Sequence, residues 1–193
     1  MVYNKDYYES LIKSRLSEYR FTHSMNVAKS AVELAEKYGA DKEKAYIAGV
    51  LHDVMKEENL DVQREFVEKN GEKMTFLELN SKSVYHQMSG SAYAKLELNI
   101  DDEDILNAIR FHTTGRRGMT LLEKVIYTAD FISAERNYPD VDVMRVKAKV
   151  SLEDAMLYSL KYTINDLTSK TAVIHPDTIE CYNWIIENNF KED

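Results

Sequence analysis

Apolar residues recur at steps of three and four positions along nearly the whole chain, the spacing of helices that bury one face. Ala28, Ala31, Val32 and Ala35 make one such stripe, and Gly39 just after it supplies a C-terminal stop. Asp41 then offers an N-cap to a helix whose stripe is Ile47, Val50, Leu51 and Val54. The same period predicts helices over 58–70 (closed by Gly71), 85–98, 103–112, 121–134, 151–167 and 177–189. Gly115 to Gly118 reads as a loop carrying two adjacent arginines, and Pro139 marks a break. No stretch of useful length alternates apolar and polar residues, and no internal repeat is evident. The expected fold class is all-α, in a single domain over 1–193.

Composition narrows the function. With 6 Gly and 2 Pro in 193 residues, helices can run with few interruptions. The one cysteine, Cys181, has no internal partner for a disulfide. No apolar run approaches the roughly 20 residues that span a bilayer, and the N-terminal residues lack the basic and apolar regions of a signal peptide. The expectation is a cytoplasmic protein with no membrane partner. A net charge of −8 argues against broad nucleic-acid binding, which needs a basic surface, yet leaves room for a small anionic ligand held through metal ions.

The candidate chemistry lies in histidines and aspartates on these helices. His23 lies near the start of the first long helix, and His52 and Asp53 are adjacent at the end of an apolar one. His86 begins a helix carrying Ser89 and Gly90 one turn on, where another backbone could come close. His112 falls on the stripe of Ile105, Ala108 and Ile109, and Asp130 is one turn from Ile126 and Ala134. A lone inward histidine is usually a hydrogen-bonded core residue, but an inward carboxylate is costly unless paired or metal-bound. Four imidazoles with two carboxylates make a coherent ligand set. Nitrogen and oxygen donors without thiolates suit iron, manganese, cobalt, nickel or zinc rather than calcium.

The order His23, His52-Asp53, His86, His112, Asp130 resembles the two-metal form of HD-domain phosphohydrolases. The stretches Arg-Phe-Thr-His-Ser-Met-Asn-Val-Ala (20–28), Ala-Gly-Val-Leu-His-Asp-Val-Met-Lys (48–56), His-Thr-Thr-Gly (112–115), Tyr-Thr-Ala-Asp-Phe-Ile (127–132) and Ile-His-Pro-Asp-Thr (174–178) are similar to the YqeK family. The resemblance implies an HD-domain helical bundle with its metal-binding core over about 18–137 and extra C-terminal helices over about 140–190. It also implies symmetrical hydrolysis of diadenosine tetraphosphate to two ADP, with two transition-metal ions, iron foremost. Residue by residue, it makes His23, His52, Asp53 and Asp130 ligands of one metal, with Asp53 bridging to a second held by His86 and His112.

Two such metals can share a hydroxide that attacks phosphorus, so no serine or cysteine nucleophile is required. Asp53 and Lys56 are the expected catalytic residues, and Arg20, Lys56, Arg116 and Arg136 the expected phosphate contacts. Arg117, Glu57 and Glu58 are expected to be solvated, and His175 to belong to the turn that starts the last helix. The substrate expected is a dinucleoside polyphosphate or another nucleotide, and a homodimer is left open. The rival enzymes are a nucleotidase and a guanosine tetra- or pentaphosphate hydrolase, since pocket shape selects the substrate. A non-catalytic, metal-dependent nucleotide-binding module is the rival outside enzymes.

Overall fold

In a computed structural model, residues 3–189 are described, and all regular structure among them is helical. The helices are α1 (Lys5–Arg15), α2 (Glu18–Tyr38), α3 (Lys42–Leu51), α4 (Leu60–Lys69), α5 (Phe76–Asn80), α6 (Tyr85–Leu96), α7 (Glu103–Arg110), α8 (Leu121–Ile132), α9 (Val141–Ala148), α10 (Leu152–Ser169) and α11 (Pro176–Asn189). Among the described residues, no helix is long and apolar enough to cross a membrane.

Local signals set most of the boundaries. Asn4, Ser17, Asp41, Asn59, Asp102, Thr120 and Ser151 each accept a bond from a first-turn amide of the helix they precede. Thr75 and Glu78 form a reciprocal capping box on α5. Gly39 ends α2 in the left-handed region at φ 81°, as the sequence predicts.

Several boundaries differ from expectation. The helix expected from Glu58 starts at Leu60, because the Asn59 side chain takes the Asp61 amide and caps it there. The one expected to reach Ala134 stops at Ile132, where Ser133 turns extended (ψ 153°). Helices α1, α5 and α9 lie outside the predicted set. They are short or polar, and packing decides them: Ile12 of α1 and Met144 of α9 are fully buried in the main core.

That core lies between α2, α3, α7 and α8, with α1 and parts of α9 and α10 closing it. Helix α6 is buried on all sides from Tyr85 to Ala94 although His86, Gln87, Ser89 and Ser91 interrupt its apolar residues. A second cluster joins Met119 and Tyr127 to Met156, Leu160, Cys181 and Ile185, so α10 and α11 seal the outer side of α8. Burial there pushes the Cys181 thiol up to about 12, which keeps it unreactive.

Gly49 allows the closest approach in the core. A Cβ at this position would sit 2.6 Å from the Ala28 Cα and 3.0 Å from its amide nitrogen, so α2 and α3 touch backbone to backbone. In an open helix Gly→Ala would be favourable by about 1 kcal/mol. Here backbone must move, and Gly49→Ala should instead cost roughly 1–3 kcal/mol by urea denaturation; a stabilised variant would mean that the two helices can part freely.

Candidate metal centre

Five elements each bring one to three polar groups to a single point. Helix α2 supplies His23 from its second turn, with its start fixed by Glu57, which accepts from the Ser17 amide (2.6 Å) and hydroxyl (2.7 Å). Glu57 is exposed to solvent, as expected, and from there it anchors the start of α2. Helix α3 ends at Leu51, and residues 52–57 form successive tight turns, with Val54 N bonded to Leu51 O and Lys56 N to Asp53 O. These turns, not a continued helical face, aim His52, Asp53 and Lys56 into the cluster. Helix α6 supplies His86, the turn after α7 supplies His112, and the last turns of α8 supply Asp130. Gly90 faces this region, but a Cβ there would lie 3.6 Å from the His52 carbonyl, an ordinary contact, so the close approach expected at this glycine is not required by it.

The Asp53 carboxylate is central and 3% exposed. One oxygen, Oδ2, faces His23 Nε2 at 3.7 Å and His52 Nε2 at 3.6 Å. The other, Oδ1, faces His86 Nε2 at 3.3 Å and His112 Nε2 at 3.7 Å. Asp130 Oδ1 lies 3.1 Å from His23 Nε2. All six residues of the sequence motif therefore meet. Candidate donor atoms of His23, His52 and Asp130 lie within 4.8 Å of one another, as do those of His52, Asp53 and His112.

Ring orientation is set from outside the cluster. His52 Nδ1 donates to the Gly49 carbonyl at 2.7 Å and His112 Nδ1 to the Ile109 carbonyl at 2.8 Å. A carbonyl can only accept, so both Nε2 lone pairs point inward, as ligation requires. His23 Nδ1 pairs with the carboxylate of Glu135, which also accepts from Ser133 Oγ at 2.6 Å and Asn26 Nδ2 at 2.7 Å. Gln87, fully buried, accepts from the Thr113 and Thr114 amides at 3.0 and 3.3 Å and so shapes the turn that follows His112. Thr113 Oγ1 ends 3.1 Å from His86 Nε2. The sequence reading assigned Glu135, Gln87 and Thr113 no role. A carboxylate five positions after an inward aspartate was the one usable signal, for Glu135.

Burial lowers the His52 pKa to about 4, and burial with the nearby Lys56 ammonium holds His86 well below its ordinary value. His23 differs. Burial pulls its pKa down, but the carboxylates of Asp130 and Glu135 outweigh that and raise it. Burial favours protonated Asp53 and Asp130, yet His52 beside the first and the His23 hydrogen bond to the second hold both well below the usual carboxylate range. His52 and His86 are thus held neutral and Asp53 and Asp130 ionised, the forms that bind a metal ion, whereas His23 keeps its proton more readily.

Three of the predicted phosphate contacts stand at this cluster. Arg20 Nη1 donates to Asp53 Oδ2 at 3.0 Å, Lys56 Nζ lies 3.0 Å from His86 Nε2, and Arg136 pairs with Asp130. Arg116 has a different partner. Its fork makes two bonds to the fully buried Glu123, at 2.9 and 2.6 Å, and its guanidinium lies over the Phe111 ring. Its side chain, 31% exposed, is thus tied to a core carboxylate rather than to one of the cluster. Arg117 pairs at the surface with Glu187, and Glu58 with Arg15. His175 Nδ1 accepts from the Asp177 amide at the start of α11, while Nε2 lies 3.4 Å from Glu78.

Residues 20–135 match the HD domain family. A symmetrical bis(5'-nucleosyl)-tetraphosphatase from Bacillus subtilis is 38% identical over 186 residues, covering 96% of this chain and 100% of that protein. Another of the same description from Halalkalibacterium halodurans is 39% identical, with 91% and 94% covered. Among solved structures, a predicted HD superfamily hydrolase involved in NAD metabolism from Clostridium acetobutylicum superposes with a TM-score of 0.93 at 38% identity, covering 97% of this chain and 99% of that one.

The depressed imidazole pKa values set a pH dependence for the metal-free protein. Unfolded histidines bind protons below about 6.5, whereas His52 stays neutral to about 4 and His86 also resists protonation. The unfolded state therefore gains protons first, and stability should fall as pH drops from about 6.5 toward 4. The raised pKa of His23 opposes this with a stabilising contribution at acid pH, one group against two. Urea midpoints of chelator-treated protein at pH 7.5 and 5 test the sign; an equal or higher midpoint at pH 5 would contradict it.

Proposed function

The chain belongs to the HD domain family, and on that premise we propose that it hydrolyses diadenosine tetraphosphate symmetrically, at a centre of two transition-metal ions. The observation that carries the metal reading is the division of Asp53, one oxygen toward each pair of histidines. His23, His52, Asp53 and Asp130 would hold one ion, and Asp53, His86 and His112 the other. The donor chemistry fits a divalent ion. Two carboxylates supply charge, and the inward Nε2 atoms of His52 and His112 supply neutral lone pairs. When bound, such a pair of ions brings the pKa of shared water down to about 7 and offsets charge on the phosphoryl oxygens. Iron is the metal that the family resemblance implies, within the set of iron, manganese, cobalt, nickel and zinc that these donors accept.

The rest of the work falls to the chain. Arg20, Lys56 and Arg136 surround the centre with three cations, and a tetraphosphate competes for them with Asp53, His86 and Asp130. Their placement orients the chain of phosphates and favours the charge that develops at the bridging oxygen. One water is consumed, the central phosphoanhydride bond breaks, and ADP leaves as a stable anion that needs no strong acid. Lys56 is suited to hydrogen-bond that departing oxygen, because burial lowers its pKa while Asp53 lies 3.9 Å away. The symmetrical register rests on likeness to the two symmetrical tetraphosphatases, each matched over nine-tenths or more of its length.

Product chromatography distinguishes the possible activities. ADP should be the only nucleotide formed from diadenosine tetraphosphate; AMP with ATP would mean an asymmetrical register. Faster release of phosphate from mononucleotides would favour the nucleotidase, and preferred turnover of guanosine tetraphosphate the alarmone hydrolase.

The centre itself is tested by elemental analysis of protein purified without oxygen, which should find close to two ions per chain. Asp53→Ala should lose both and reduce turnover roughly a hundredfold or more, while Arg117→Ala leaves turnover near wild type. Active protein free of metal would overturn the centre, and one ion per chain would empty the site of His86 and His112.

A further inference from the structure

The turn after α8 does two jobs at the proposed centre. Glu135 grips His23, and Arg136 pairs with Asp130 while its Nε donates to the Asp130 carbonyl at 2.9 Å. Both side chains depend on the backbone path of 133–136. That path is irregular, and its carbonyls have left the α-helical ladder.

Those carbonyls converge on one side chain, Arg145 of α9. Its Nε donates to Ile132 O at 3.2 Å, and its Nη2 to Ser133 O and Arg136 O at 3.0 Å each, with Ala134 O at 3.5 Å. Nη1 is held by Asp142 at 2.9 Å. One planar fork thus gathers oxygens from both ends of the turn. A cation at the C-terminus of α8 is also favoured by the helix dipole. Lysine could supply the charge but not several donors in a fixed plane.

We infer that Arg145 is a positioning residue for the metal centre: by clamping the 132–136 backbone it holds Glu135 on His23 and Arg136 on Asp130. Its helix lies in the C-terminal extension, outside the 20–135 stretch that matches the HD family, so the extension shapes the centre without touching it. The inference rests on the metal reading above for its functional consequence, though the positioning of His23 by Glu135 stands on geometry alone.

Two measurements test it on the full chain. In metal-free protein, the His23 Nδ1 proton bonded to Glu135 should give a slowly exchanging downfield resonance, broadened or lost in Arg145→Gln. Titration of the same proteins with cobalt(II) should show one of two sites weakened about tenfold in Arg145→Gln, the usual range for a lost outer partner, and the other within twofold. Arg145→Lys should fall between, and also serves if the glutamine variant folds poorly. Asp142→Asn, which keeps every carbonyl contact, should match wild type in both. Glu135→Gln should weaken the same site, and adding Arg145→Gln to it should cost less than the two single effects combined, because part of the Arg145 effect passes through Glu135 and His23. An unchanged resonance, or unchanged cobalt affinity, in a folded Arg145→Gln protein overturns the inference. Wild-type protein that binds no cobalt would sink the metal reading instead, and the resonance alone would then decide the role of Arg145.

Discussion

An ionised carboxylate taken out of water must be surrounded by groups that replace the lost hydration, and Asp53, at 3% exposure, sets that demand for the whole bundle. Four imidazole nitrogens lie within 3.7 Å of it, Arg20 donates to it directly, and Lys56 stands close by. Those groups come from α2, the turn after α3, α6 and the turn after α7, which must therefore converge at tolerances of a few tenths of an ångström. Glycines on two of these helices face neighbouring elements, Gly49 at a contact too close for a side chain and Gly90 at ordinary van der Waals distance. Gly49 brings α3 onto α2. Helix α6 can be buried on all sides despite its polar residues because each has a partner: His86 in the cluster, Gln87 on the 113–114 turn, Ser89 on Tyr85 O and Ser91 on Leu106 O.

Around this point the electrostatics run against the average of the molecule. The chain carries a net charge of −8, yet three cations surround two buried carboxylates. Whether an arginine is free to meet an anion depends on its existing partner. Arg20 and Arg136 rest on carboxylates of the centre, where metal ions would compete for those oxygens. Arg116 rests on Glu123, fully buried and outside the cluster's set of carboxylates, and breaking that pair would leave a charge stranded in the core. The same residue type therefore has opposite prospects at two places in one fold.

The C-terminal helices enter this picture through α8. Its inner residues carry Asp130, while Tyr127, on its outer side, packs with Met156, Leu160 and Cys181 from α10 and α11. Its end is gathered by Arg145. A helix fixed on both sides cannot shift its aspartate without disturbing two clusters, which gives the extension a mechanical part in the proposed chemistry.

By itself the sequence determined the all-helical class, most helix starts, and the six histidine and aspartate residues that meet, because periodicity and capping are local and an inward polar residue stands out against an apolar stripe. It also carried the family, through motifs short enough to read directly. Tertiary structure alone decided the rest. The short helices α1 and α9 depend on packing that no window of neighbouring residues contains. Lys56 reaches the cluster through tight turns that resemble a helical continuation in sequence. Glu135, Gln87 and Arg145 gain their roles only from partners 112, 26 and 9 to 13 positions away. Arg116 takes its partner, Glu123, from seven positions on. A hydrogen bond is specified by two groups and an angle, and a linear chain names the groups without fixing the angle.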